Sequence, residues 1–491
     1  MPAIMPSEST RSEVQVAASC SKAGAAKEDA LGTRDVLRKI LPAAAGSFIE
    51  FYEFAIFSYM SADITGNFFA DGHGGSLGTW AGFAVTLAVR PLGGLFFGAL
   101  ADRFGRKPAM QLTIALMLVT TLLQGVLPSF YCCGEGWGWF GLVVMLLLRV
   151  LQGLSAGGEL STAAVYITEV SPRGQLGFNL SWISLTGAFG AWSVASLVVF
   201  LFQTALTKEQ MLLWGWRLPY LSSIIPGAAV LLGRRYLEET PDFEELVRAK
   251  AEQENNLSME RGDAEEHSTT SEAGMLHELF ANHKLALLVG SLGTAIFGAL
   301  SFVPPLYGAQ FIQQDQGLPA NVVTFSELMN YAIPALLAPA IGMLVDRWGA
   351  GRVYTLGVFL GGVVVPAPVL YWWAHVPEGQ GITSMFVGQA LLGLCLALQT
   401  SVYLWVVELF PVHVRVTGVS VAYNIGVGIC GGLGPLVSDA GNRVLDPKGL
   451  MSAPAIYTAV FGLVSLFACL GSRVLAKRGV MQVTHIRKSP Y

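Results

Sequence analysis

The sequence predicts an all-α membrane protein of twelve transmembrane helices in two six-helix bundles, on three observations. Only 13% of its 491 residues are charged while 53% are hydrophobic. A water-soluble domain carries roughly a quarter charged residues, so such a chain cannot cover a water-exposed surface. Its apolar residues fall into twelve runs, each close to the roughly 20 residues a helix needs to cross a bilayer. Finally, Gly98-Ala-Leu-Ala-Asp102-Arg103-Phe104-Gly105-Arg106-Lys107 returns in weakened form 244 positions later as Gly342-Met-Leu-Val-Asp346-Arg347-Trp348-Gly349. Each copy lies between two apolar runs, as in transporters built from duplicated halves.

The runs lie near 41–62, 78–101, 108–130, 143–168, 177–203 and 215–236, then near 284–312, 321–345, 353–374, 382–408, 415–439 and 453–475. They define an N-terminal bundle over 41–236 and a C-terminal bundle over 284–475. Residues 1–40 are polar, without the apolar run of a secretory leader, and read as a cytoplasmic tail, as do 476–491. The stretch 237–283, rich in Glu, Ser and Asn, reads as a cytoplasmic linker with room for one amphipathic helix. With both termini inside, 24 of the 30 lysines and arginines fall on the cytoplasmic side, the arrangement selected by the positive-inside bias. A multi-pass protein of the plasma membrane, acting as a monomer, is the expectation.

Other classes find little support. The net charge of −4 and the lack of a basic patch give no sign of nucleic-acid binding. No nucleophile–base pair or metal-ligand set points to an enzyme, and no cofactor or metal is expected. The adjacent Cys132 and Cys133 suit neither a zinc site nor an easy disulfide, so the cysteines read as small apolar fillers.

The Gly98–Lys107 segment resembles the loop signature of the major facilitator superfamily. Three more segments resemble its metabolite:proton symporter branch, which includes proline/betaine, citrate, 2-oxoglutarate and shikimate transporters. They are Glu50-Phe-Tyr52-Glu53-Phe54, Arg149-Val-Leu-Gln152-Gly153 running on to Gly157-Gly158-Glu159, and Trp214-Gly-Trp216-Arg217-Leu-Pro219. Leu237-Glu238-Glu239-Thr240-Pro241-Asp242-Phe243 is similar to the same branch. The resemblance covers the first half and reaches the second through Asp346–Gly349 and Glu408–Pro411. It implies secondary active transport by alternating access. The chain departs from the branch at Glu53, where Asp is usual, at Ser47, where Asn is common, and at Leu176-Gly177, where Arg-Gly is expected.

Within the loops, Gly98 allows close helix approach, Gly105 permits a tight turn, and Asp102 can cap a helix N-terminus. Arg103, Arg106 and Lys107 can pair with acids such as Glu169. By resemblance, such contacts lock the inner side while the outer side is open. Asp346, Arg347, Gly349 and Glu408 are the second-half counterparts, and with two cations lost the gate is expected to be asymmetric.

Ionisable residues at mid-bilayer depth are costly and mark function. Counting about 1.5 Å per residue from the cytoplasmic ends puts Glu50 about 13 Å deep, Glu53 and Arg90 about 18 Å, and Glu159 about 15 Å. The same count puts Arg149 toward the outer mouth. Three acids then face one base at the midplane, and a carboxyl in such a cluster can carry a proton. Glu50, Glu53 and Glu159 are therefore the proton-coupling candidates, with a structural Glu53–Arg90 ion pair as the alternative. Glu327 reads as a vestibule residue. Tyr52, Arg90, Arg149, Gln152, Tyr403 and Asn424 are the substrate-binding candidates, with Tyr307, Tyr331, Gln399, Trp405 and Tyr423 as further polar or aromatic groups of the second half. With Arg90 as the one deep cation, a monocarboxylate or a zwitterion such as an amino acid or betaine is favoured over a di- or tricarboxylate. An aromatic cage for a quaternary ammonium and an ordinary packing role are both open for the aromatic groups. A facilitative carrier, or a non-transporting receptor of the same fold, remains the alternative function.

Overall fold

In the computed structural model, residues 40–69, 75–172, 174–240, 244, 248, 272–377, 379–411, 414–445 and 452–478 are described. The N-terminal tail, most of the predicted linker and the last residues lie outside them. Among the described residues every predicted span is helical. We number them α1 (Ile40–Tyr59), α2 (Leu77–Phe104), α3 (Arg106–Gln124), α4 (Phe130–Val170), α5 (Leu176–Ala205), α6 (217–234), α7 (Lys284–Gln313), α8 (Ala320–Trp348), α9 (Ala350–Ala374), α10 (Gly381–Val407), α11 (Arg415–Asn442) and α12 (Ala453–Lys477). Ten are individually long and apolar enough to span a membrane. The other two are α3, with 19 residues, and α6, broken between Ser222 and Ile224. The chain is an integral multi-pass membrane protein.

The helices depart from straight rods in identifiable places. α4 runs for 41 residues, beginning well before the predicted span, because Ser129 caps its N-terminus by accepting from the Cys132 amide at 3.4 Å. Gly134, with φ 74°, kinks it one turn later. Beside that kink Cys132 and Cys133 form a vicinal disulfide, which corrects the expectation of unpaired fillers. Single π-helical turns interrupt α5 at Ile183–Ala188, α7 at Val303–Gly308, α9 at Phe359–Val364 and α11 at Asn424–Gly431. Pro304 and Pro305 explain the one in α7, since neither has an amide hydrogen to donate.

Two helix pairs join the halves. α2 lies along α11, and α8 lies along α5. These pairs exchange under a shift of six helices, so the duplication visible in the sequence is also a duplication of the seam. The end of the bundle that carries residues 98–107 and 342–352 is called the signature face below. At the opposite face Gln310 donates to Ser61, and the Ser196 hydroxyl donates to the Thr324 carbonyl. Both ends of the seam are thus bridged.

Candidate functional site

The first acid, Glu50, stands on α1 in an almost wholly apolar run and is buried. Arg90 of α2 forms an ion pair with it. The same guanidinium donates through Nε to Asn424 Oδ1 at 2.9 Å and lies 5.3 Å from the Phe54 ring centre. Asn424 opens the π-turn of α11 and donates back across the seam to the Gly157 carbonyl at 2.6 Å. Glu50, Arg90 and Asn424 therefore form one buried polar chain that begins in the first half and ends in the second. In a low-dielectric interior such a chain is held only where each charge has a partner.

The remaining acids are also paired, which corrects the expectation of three carboxylates against one base. Glu53 pairs with Arg149 at 2.6 Å, and Gln152 accepts from Arg149 at 3.4 Å while donating to Thr121 at 3.1 Å. The alternative Glu53–Arg90 pair is not formed. Arg149 is 0% exposed and sits over the Phe57 ring at 3.6 Å, so it is not at an outer mouth. Its long side chain carries the guanidinium to Glu53, away from the depth of its own backbone, which a per-residue count does not register. Glu159 is held bidentately by Arg234, with one contact at 3.0 Å, and also accepts from Thr113. Arg234 donates further to the carbonyls of Met110 at 2.6 Å and Ala43 at 3.1 Å. That knot ties α1, α3, α4 and α6 together inside the first half.

Tyr52 points away from the Glu50 chain, its hydroxyl 2.7 Å from Ser222 Oγ on α6. Two residues along a helix from Glu50, it must face another side. In the second half, Tyr403 and Tyr423 lie near one another, with ring centres 6.1 Å apart, and each is within electrostatic range of Glu50 and Arg90. Tyr307 instead accepts from Asn442, Gln399 donates to the Gly357 carbonyl, and Trp405 stacks on Tyr354, all inside the second half. From Tyr403 a chain of aromatic contacts continues through Phe297, Phe189, Tyr331 and Trp192, crossing the seam.

At the signature face, Asp102 accepts from the Thr417 amide at 3.2 Å and its hydroxyl at 2.8 Å. That caps the N-terminus of α11, in the other half. Asp346 does the reciprocal: it accepts from the amides of Gly177 at 2.8 Å and Phe178 at 2.9 Å at the start of α5. Gly98 faces Thr417 and Gly342 faces Gly177, so close approach places each Asp. Gly105 and Gly349 turn the chain at φ 105° and 87°. Of the three first-copy cations, Arg106 reaches Glu169 at 3.2 Å, and Arg415 of the second half approaches the same oxygen at 3.9 Å. Arg103 lies exposed over Phe104, and Lys107 offers its backbone amide to Glu239 at 3.2 Å. Arg347 is exposed, and Glu408 is half-buried at the end of α10.

Sequence reasoning missed Arg234 and misassigned Glu327. Arg234 stands at the end of a span, and no spacing ties it to Glu159. Glu327 is 4% exposed rather than in an open vestibule.

A family model described as "Sugar (and other) transporter" matches residues 39–434. The ectoine/proline transporter ProP of Corynebacterium glutamicum is 30% identical over 446 residues, covering 88% of this chain and 84% of that protein. The glycine betaine/proline/ectoine/pipecolic acid transporter OusA of Dickeya dadantii is 28% identical, covering 91% and 85%. Among solved structures, a proton:xylose symporter of the major facilitator superfamily, XylE, superposes with a TM-score of 0.68 at 15% identity, covering 93% of this chain and 99% of that one. At that identity the likeness speaks for the fold alone.

Proposed function

The chain belongs to the sugar (and other) transporter family, within the major facilitator superfamily, and we propose that it carries out proton-coupled symport of a small zwitterion or monocarboxylate. The observation that carries this reading is the Glu50–Arg90–Asn424 chain. A carboxylate paired to an arginine that also holds the opposite half couples protonation to the seam. When Glu50 takes a proton its pair with Arg90 weakens, and the guanidinium becomes available to a solute carboxylate. Release of the proton restores the pair and expels the solute anion. The single free-standing role asked of Arg90 suits one carboxylate better than two or three. The names of the betaine and proline transporters among the relatives support a zwitterion.

In this reading α1–α6 and α7–α12 rock as two bodies, and the signature face is cytoplasmic, in a plasma membrane. Asp102, Asp346, Arg106 and Glu169 latch that face. The Glu159–Arg234 knot, saturated within one half, holds the first bundle rigid, and Glu53–Arg149 braces it beside Gln152.

The test is reconstitution in liposomes with an inward proton gradient and labelled glycine betaine, proline and a short monocarboxylate. Accumulation abolished by an uncoupler is expected. Glu50→Gln is expected to keep counterflow exchange while losing gradient-driven accumulation. Uptake that only equilibrates the solute across the membrane, unaffected by the uncoupler and by Glu50→Gln, would replace symport by facilitated diffusion.

A further inference from the structure

One buried acid has no arginine. Glu327 lies on α8, two turns from the α8 end at Ala320, and one of its carboxylate oxygens is buried and accepts no hydrogen bond among the described residues. No cation pairs with it there, whereas Glu50, Glu53 and Glu159 each have one. An uncompensated buried carboxylate is expensive in an apolar surround, and an expense of that kind marks a site.

Near it lies a cluster of aromatic rings drawn from both halves. Tyr59 of α1 and Tyr331 of α8 lie within electrostatic range of the carboxylate. Trp192 of α5 stacks on Tyr331, with centres 4.8 Å apart at 24°, and meets Tyr59 edge-on at 5.7 Å. Phe302 of α7 adds a fourth ring, 6.1 Å from Trp192. All four are buried. The Tyr331 hydroxyl is tied to the Ser301 carbonyl at 2.8 Å, which fixes the ring.

We propose that Glu327, with Tyr59, Trp192, Tyr331 and Phe302, forms a recognition site for an organic ammonium group, and that this site selects zwitterions over plain organic anions. The proposal rests on the symport reading above and deepens it. A carboxylate without a cation, beside a cluster of aromatic rings, matches an alkylated ammonium, whose charge is spread over methyl groups and attracted by aromatic quadrupoles. A metal cation would need several oxygen donors, and no His, Cys, Asp and Glu cluster of that kind exists among the described residues. The site lies at the far end of the aromatic chain that leads through Phe189 and Phe297 to Tyr403, beside Arg90. Anion and cation recognition are thereby separated along one seam. Because both halves supply rings, an ammonium held there would also draw the seam together.

The test compares purified wild type, Glu327→Gln and Glu327→Asp. Tetramethylammonium is the binding probe. Glycine betaine and tert-butylacetate, which has the same shape without the positive charge, are the transport probes. Thermal unfolding of each variant controls for folding. For Glu327→Gln, weakening of tetramethylammonium binding by roughly tenfold or more is expected. A similar rise in KM for glycine betaine is expected, with tert-butylacetate uptake unchanged, and Glu327→Asp should recover part of the loss. Unchanged tetramethylammonium binding in Glu327→Gln would overturn the site. So would equal loss of accumulation for both solutes with exchange intact, which would make Glu327 a proton carrier. Wild type that binds tetramethylammonium but accumulates no solute would leave the ammonium site standing and refute the symport reading instead.

Discussion

The two copies of the Gly–Asp–Arg–Gly loop do the same mechanical task with different materials. In the first, Asp102 caps α11 and belongs to a charged network: Arg106 lies 3.7 Å from it and 3.2 Å from Glu169, which Arg415 approaches from the other half. In the second, Asp346 caps α5 through two short amide bonds, and Leu176 stands where the family pattern would put a cation. The second seam is the tighter one. A Cβ on Gly342 would lie 2.6 Å from the Gly177 carbonyl oxygen, while a Cβ on Gly98 would lie 3.1 Å from Thr417 Cα. The first latch carries a charged network across the seam, and the second adds the closer backbone contact. A duplicated fold must close its seam at two places, but nothing requires both closures to use the same forces.

The largest expected effect tests the packing side. Gly342→Ala forces a methyl group against backbone that cannot rotate away, and overpacking of this kind costs roughly 1–3 kcal/mol or more. At Gly98 a shift of a few tenths of an ångström suffices. Gly342→Ala should therefore lower the unfolding temperature and the uptake rate more than Gly98→Ala, measured side by side in the same detergent and the same liposomes. Equal effects, or the reverse order, would break the distinction between the two latches.

Next in size is the charge side. Hydrogen bonds to a charged acceptor contribute about 1.5–3 kcal/mol each, and both Asp102 and Asp346 accept two. Asp102→Asn also removes one of the acids that Arg106 meets, so its effect should spread. Hydrogen exchange by mass spectrometry should show faster exchange over 414–420 and around Glu169, with uptake down roughly tenfold, the equivalent of one such bond. Asp346→Asn should accelerate exchange chiefly at 177–178, with a smaller fall in uptake. Spreading exchange in Asp346→Asn would show that the second latch is networked as well.

How much of this could be read from the chain depended on whether the signal was periodic or tertiary. The twelve spans follow from runs of apolar residues, and the reciprocal caps are prefigured by Gly98 and Asp102 recurring as Gly342 and Asp346. Pairings between helices leave no such trace. Glu159 and Arg234 are 75 positions apart, and which arginine meets which acid depends on helix tilt and side-chain reach. A ruler of about 1.5 Å per residue places backbone and not the end of a long side chain. The Arg149 guanidinium reaches Glu53 for that reason, although its backbone stands nearer the outer end of the span. Glu327 reads as a vestibule residue because six residues from a span end is shallow, yet its carboxylate is buried with Tyr59, from the other half, in electrostatic range. Recognising it required the packing of both halves.

The smallest expected effect makes the two latches more alike. Arg415→Leu gives α11 the residue type that α5 carries at Leu176. The Arg415–Glu169 contact is long, at 3.9 Å, and Glu169 keeps Arg106 at 3.2 Å when it is lost. Glu169 is not orphaned, so the large penalty for leaving that carboxylate buried and unpaired does not apply. A loss of about 1 kcal/mol, or roughly fivefold in the balance between closed and open seam, is the expectation. Exchange at Thr417 should rise by that factor while the amides of Gly177 and Phe178, held by Asp346, stay as slow as in the wild type. If the Gly177 and Phe178 amides accelerate as well, the two latches open together, and the charge network of the first half also holds the second closed.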